Sequence, residues 1–204
     1  MDALQANYTE RSVQFFRMNR DNNRDRILEA AEAIVKTRGA GKLTYDELAR
    51  ESGFTRGGLT YHFPTKDSLL QALLERDVEQ WQAREQSLRP TDAPTDAAEL
   101  IGYLRAFTVE TDEKRRFVAG MLSAVAHDHS LLDPVRRLQA ERVRTASWDQ
   151  TALRQQLLRF AAEGLFWSEF FRCTELPADV RERLVTELEA LARAWSPGDD
   201  AASD

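Results

Sequence analysis

Three helix starts are packed into residues 43–66, and no other stretch of this sequence constrains the fold as tightly. Thr44 stands three residues before Glu47, the spacing of a capping box, and opens a short helix running through Ser52. Gly53 permits a tight turn, and Thr55 caps a second short helix that ends at Phe63-Pro64. Thr65 caps a third, longer helix that begins near Lys66 and runs to about residue 88. Two short helices across a three-residue turn containing glycine make a helix-turn-helix, whose second helix can lie in a DNA major groove.

The rest of the chain also reads as helix. Ile27, Ala30, Ala31, Ile34 and Val35 share one face of a 3.6-residue period, and Gly39 and Gly41 end that helix. Val180, Leu184, Leu188, Leu191 and Trp195 repeat the pattern, with Arg181, Glu182, Arg183, Glu187 and Glu189 on the other side. Asp133-Pro134 is expected to be a cap followed by proline at the first helical position. The stretch from Leu88 to Asp96, with Pro90 and Pro94, must be a loop. Alternating β-branched runs with Asn-Gly or Asp-Gly turns are absent, so the expected fold is all-α.

Charge divides the chain. Residues 1–76 carry 12 Lys and Arg against 11 Asp and Glu, whereas residues 77–204 carry 16 against 23, so the acidity belongs to the second part. With 42% hydrophobic residues the chain can build a core, yet no apolar run is long enough for a membrane span. Its start, MDALQANYTER, lacks the apolar stretch of a secretion signal, so a soluble, cytoplasmic protein is expected.

Helix N-termini present free N–H groups and partial positive charge, so each of the three starts can hold a phosphate, aided by the hydroxyls of Thr44, Thr55 and Thr65. Lys66 adds a full charge at the third. Arg56, Thr60, Tyr61 and His62 give the second helix hydrogen-bonding groups, while Leu59 and Phe63 anchor its other face. The segment resembles the DNA-binding domain of TetR-family transcriptional regulators. The match is carried by Leu43-Thr44, Leu48-Ala49, Gly53-Phe54-Thr55, Leu59, Tyr61-His62-Phe63-Pro64 and Lys66, and with the preceding helix it covers about residues 21–81. By this resemblance Thr44, Thr55, Tyr61, His62 and Lys66 sit where the family contacts phosphates. Arg56, Gly57, Gly58 and Thr60 sit where it approaches base edges. Two departures stand out: Thr60 replaces a frequent aromatic, and Gly57-Gly58 is bare of side chains, which leaves Arg56 to read a base, guanine by preference.

The expected organisation is an N-terminal extension (1–20), a helix-turn-helix domain (21–81, the motif itself at about 44–63), a larger C-terminal helical ligand-binding and dimerisation domain (82–196) and an acidic tail (197–204). One short recognition helix contacts few bases, so two copies on a palindromic site are expected. Residues 151–172 are apolar on too many sides for one core contact, and with the helix at 178–195 they offer a homodimer surface: Leu157, Phe160, Phe171, Val180, Leu184, Leu188, Leu191 and Trp195. The resemblance places the same surface there. It also implies an inducer cavity, for which Trp81, Phe107, Phe117, Met121 and Trp148 are the candidates.

Competing readings remain. Residues 43–66 could be a hairpin that packs internally, leaving a small-molecule-binding helical protein whose helix-turn-helix no longer binds DNA. His127-Asp-His129 lacks the spacing of a metal site, and Cys173 beside Arg172, without a motif, is expected to be a quiet, partly buried thiol. No catalytic motif and no cofactor loop is present, so neither enzyme, metal nor cofactor is expected. Arg11, Arg17 and Arg20 with Phe15-Phe16 could form a minor-groove arm, a disordered tail or an extra helix.

Overall fold

A computed structural model describes residues 22–109 and 111–196. The expected N-terminal arm and acidic tail lie outside the described residues. Within them the chain is helical with no strand: α1 (residues 22–38), α2 (Tyr45–Ser52), α3 (Arg56–His62), α4 (Lys66–Ser87), α5 (Thr95–Thr108), α6 (Asp112–His127), α7 (Asp133–Thr145), α8 (Gln150–Phe170) and α9 (Ala178–Trp195). No helix among the described residues is long and apolar enough to cross a membrane.

The chain forms two compact units, and they are not two contiguous halves. Among the described residues the first joins 22–75 to 116–134, and the second joins 76–109 and 111–115 to 135–196. The physical reason for this division lies in α6. Phe117 and Met121 bury with Ile27, Ile34, Val35, Leu48 and Leu59 in the core of the first unit. Gly120 makes that packing possible: a Cβ there would overlap the Val35 carbonyl oxygen and stand 2.9 Å from Val35 Cγ1. The periodic face of α1 is buried as expected, with Ile27, Ala31 and Val35 fully enclosed. Gly39, at φ +82°, then ends α1 by donating its N–H to the Val35 carbonyl.

In the second unit α5 packs against α8 and α9, which pack on each other. Leu100, Ile101, Leu104, Leu158, Ala162 and Ala192 form its core. Arg105 ties α5 to α9 through a bidentate pair with Glu189 at 2.8 and 2.7 Å. Arg181 grips both Glu169 and the Thr108 carbonyl, which fixes the start of α9 against α5 and α8.

Two local expectations are corrected. Asp133 is not a cap: it has helical angles and is the first residue of α7, because the 3-10 turn His129–Leu132 runs directly into the helix. Asp128 caps that turn instead, accepting from the Ser130 N–H at 2.9 Å. Cys173 is exposed, because α8 ends at Phe170 and the chain turns outward through Arg172 at φ +53°.

Candidate nucleic-acid interface

All three threonine caps form. Thr44 Oγ1 accepts from Glu47 N at 3.2 Å, Thr55 Oγ1 from Gly58 N at 3.1 Å, and Thr65 Oγ1 from Ser68 N at 3.0 Å. Accepting a backbone N–H leaves each hydroxyl hydrogen free, so the same group that starts the helix can donate outward. Only the third is a reciprocal box, and its partner is Ser68, whose hydroxyl accepts the Thr65 N–H at 3.2 Å. The box expected at Thr44 is half made. Glu47 turns its carboxylate to Arg38 and Arg50 instead of reaching back to the cap, since two nearby cations outbid one N–H.

The turn between α2 and α3 has the expected glycine, with Gly53 at φ +72° donating to the Ala49 carbonyl. Two contacts fix α3 against α2. Leu59 and Phe63 are buried on its inner side, and the Tyr45 hydroxyl donates to the Phe63 carbonyl at 2.5 Å. Burial raises the Tyr45 pKa, which keeps that hydroxyl protonated as a donor. The outer side of α3 is open. Tyr61 is 71% exposed and lies edge-on to His62, at 5.2 Å between ring centroids. No heavy atom lies within 4 Å of where a Gly57 Cβ would stand, whereas a Gly58 Cβ would come 3.3 Å from Thr55 Oγ1.

Arg56, the first residue of α3, pairs with Asp46 in the first turn of α2 at 2.7 Å. That pair brings the two helix starts within one side-chain length of each other. Both partners are largely exposed, so it is worth at most about 1 kcal/mol and holds Arg56 only loosely. Thr60 bonds back to its own helix at the Arg56 and Gly57 carbonyls, which occupies its hydroxyl hydrogen and leaves it an acceptor. Lys66 begins α4. Sequence reasoning missed Tyr45 as the clasp on α3, and it missed the guanidiniums of Arg24 and Arg26. These lie 5.3 and 5.1 Å from the ring centroids of Phe63 and Phe54, so α1 supplies cations beside the motif. Cationic residues three and one before Ile27, the first buried position of α1, were the available signal.

The second unit carries the other candidate residues. On α8, Leu157 and Phe160 are 62% and 61% exposed, and Leu153 and Trp167 are exposed with them, as is Phe171 just past its end. Together with Gly164, which has open space at its Cβ, they fall at offsets 0, 4, 7, 11, 14 and 18, the seam of a helix that packs on another. The opposite face of α8 is spent on Leu158, Ala162 and Phe166. On α9 only part of the expected stripe faces out: Leu184 is exposed and Val180 half-buried. Leu188, Leu191 and Trp195 turn inward, packed against the α5–α8 core.

The five residues expected to line a cavity are not gathered. Phe117 and Met121 belong to the core of the first unit. Trp81 and Phe107 lie 4.4 Å apart, tilted at 60°, in an aromatic cluster with Tyr103 and Phe166. Trp148 borders a cavity of about 600 Å³ in the second unit, whose wall is largely polar and includes Arg89, Arg142, Arg159 and Gln156. Among the described residues no group of three or more His, Cys, Asp or Glu is placed to hold a metal.

Residues 27–73 match the family model described as bacterial regulatory proteins of the tetR family, and residues 97–193 match the tetracyclin repressor-like C-terminal domain. The HTH-type transcriptional regulator YfiR of Bacillus subtilis, itself uncharacterised, is 25% identical over 111 residues, covering 54% of this chain and 51% of YfiR. The HTH-type transcriptional regulator EthR of Mycobacterium tuberculosis is 34% identical over 70 residues, 34% of this chain and 32% of EthR. The chain thus spans about half or less of the curated relatives it matches. Among solved structures, a tetR-family transcriptional regulator from Streptomyces coelicolor aligns with TM-score 0.60 at 18% identity, over 89% of this chain and 94% of that one. The multidrug binding protein EbrR complexed with ethidium aligns with TM-score 0.59 at 24% identity, over 81% and 98%. These likenesses establish the fold.

Proposed function

Because the chain belongs to the TetR family of bacterial regulatory proteins, we propose that it is a DNA-binding transcriptional repressor. It acts as a homodimer on a palindromic operator and is released by a small-molecule effector. The observation that carries the reading is the head: three successive helices each begin at a threonine cap, and the short one between them exposes Tyr61, Arg56 and an unobstructed Gly57. Thr44, Thr55, Tyr61, His62 and Lys66 hold phosphates, while Arg56 reaches a guanine edge along a backbone that the two glycines let come close.

Dimerisation supplies the second half-site. The exposed seam on α8, with Leu184 of α9 beside it, would bury large apolar side chains against a second copy, forming a four-helix interface. Leu188, Leu191 and Trp195 support that interface from beneath, through the core. The effector acts by linkage: it binds one arrangement of the dimer better than the DNA-competent one, and lowers DNA affinity by that difference. EbrR is described as a multidrug binding protein, which is in keeping with a small-molecule role for the cavity here.

The test is fluorescence anisotropy of the purified protein on DNA flanking its own gene, against random duplex of equal length, at two salt concentrations. Tight, palindrome-dependent binding that weakens with salt is expected. No binding to any duplex at low salt would refute the reading in favour of a ligand-binding protein with a vestigial head.

A further inference from the structure

We propose that the cavity of the second unit is an oxyanion site, which takes a small organic acid by its carboxylate or phosphoryl group through Arg159. The inference deepens the effector reading and rests on it only for the step from binding to DNA release.

The cavity lies among the end of α4, the start of α5, α7 and the first turns of α8, all within one unit. Its arginines are unevenly neutralised. Glu85 pairs with Arg142 at 2.5 Å and Glu99 pairs with Arg89 at 2.9 Å. Asp96, the remaining carboxylate on the wall, is exposed. Among the described residues Arg159 forms no ion pair within 4 Å, and the Glu85 and Glu99 carboxylates act on it only from farther off. Its guanidinium lies 4.6 Å from the Tyr103 ring centroid, and that of Arg142 lies 4.7 Å from the same ring. Two cations therefore share one aromatic ring. Burial, with the like charge of Arg142, lowers the Arg159 pKa by more than Tyr103, Glu85 and Glu99 raise it, so an added negative charge would be favoured beside it.

Hydrogen-bond accounting points the same way. Arg159 Nη1, Arg142 Nη1 and Arg89 Nε are all buried and have no acceptor. Buried donors are rarely left unmet, and three guanidinium nitrogens without an acceptor, on residues that line one cavity, favour a ligand that brings acceptors once those side chains turn toward it. A carboxylate or phosphoryl group does so, and its oxygens match the fork of a guanidinium. An amine would be repelled, and a neutral amide would bring donors where none are wanted. Trp148, 45% exposed at the rim, offers a flat apolar face for the body of the acid.

The test uses the full chain without DNA and three probes of equal shape: 2-naphthoate, 2-naphthyl phosphate and 2-naphthamide. Tryptophan fluorescence titration gives affinity, and thermal unfolding confirms binding to the folded state. At least one anion is expected to bind tenfold or more tightly than the amide, and the ratio between the two anions tells carboxylate from phosphoryl. Arg159→Gln should bring the anions down to the amide's affinity. Gln156→Glu, which keeps every arginine and adds one charge to the wall, should do the same, and it decides the matter where Arg159→Gln does not fold. Equal binding of amide and anions, no shift with either anion at about 1 mM, or an anion advantage that survives the substitution would overturn the site. An anion that binds as expected but leaves operator affinity unchanged would leave the site standing and remove its role as effector site.

Discussion

Replacing Gly57 with alanine separates what α3 needs to fold from what it needs to touch. Gly57 is the second residue of a seven-residue helix, and it lacks the positive φ that would require glycine. An added Cβ meets nothing within 4 Å. Glycine in a helix interior costs about 0.8–1.0 kcal/mol relative to alanine, so Gly57→Ala should stabilise the free protein by up to about 1 kcal/mol. For a chain of this length that is a rise of about 2–4 °C in Tm. If the bare backbone is kept for close approach to DNA, the same methyl should weaken operator binding while non-specific, salt-driven binding holds. Gly120→Ala is the matched control. Its Cβ would overlap the Val35 carbonyl oxygen, so α1 and α6 must part, at a cost of about 1–3 kcal/mol or more. The assays are thermal unfolding and anisotropy on operator and random duplex. A lowered Tm for Gly57→Ala would refute the account of an open helix face, and unchanged operator affinity would refute close approach as the reason for the glycine.

Lys66→Ala should weaken binding to operator and random DNA alike and flatten the slope of log affinity against log salt by about one unit; an unchanged slope removes Lys66 from the phosphate contacts. Arg56→Ala should cost about 1–3 kcal/mol on the operator and lose preference at one base pair per half-site, and equal losses on random DNA would contradict base reading. Phe160→Glu places a charge in the middle of the exposed α8 seam and should shift sedimentation from dimer to monomer with helicity retained; a persistent dimer would place the interface elsewhere. Asp149 caps α8 through Ala152 N, and that bond with the Ser147 hydroxyl holds its pKa below the ordinary 3.8. Its ionised form therefore stabilises the fold fully above about pH 4, and the contribution is lost as pH falls through the lowered value. Asp149→Asn should shrink that acid-dependent part of the unfolding curve, and an identical acid limb would show that the cap is not coupled to folding.

What the sequence made legible depended on how local the cause was. Helix starts are written by a threonine and its neighbours three residues on, and Thr44, Thr55 and Thr65 all cap where expected. The helix spans from 66, 151 and 178 followed from periodicity and proline for the same reason. Features decided by distant partners were hidden. Glu47 abandons its box because Arg38, nine residues earlier, comes alongside it. Phe117 and Met121 look like cavity aromatics or thioethers in one dimension, and only the close approach at Gly120 delivers them to the core of the first unit. The wall of the cavity was invisible because arginines at 89, 142 and 159 come from three segments with no common pattern.

One helix carries residues of both proposed sites, and that sets what an effector must supply. α4 begins at Lys66 in the first unit and passes into the second after Glu75, and its Gln82, Glu85 and Gln86 form part of the cavity wall. From Lys66 to Glu85 the helix rises about 28 Å, at 1.5 Å per residue. At Glu85 the cavity wall holds this helix through Arg142. An acid that engages Arg159 must also compete with, or reinforce, the Glu85–Arg142 pair. Each tenfold loss of operator affinity requires that it favour one position of α4 over the other by about 1.4 kcal/mol. One charge-assisted hydrogen bond, gained or lost at Arg142, is worth about 1.5–3 kcal/mol, so a single rearranged contact at this pair suffices and no wholesale repacking of the second unit is needed.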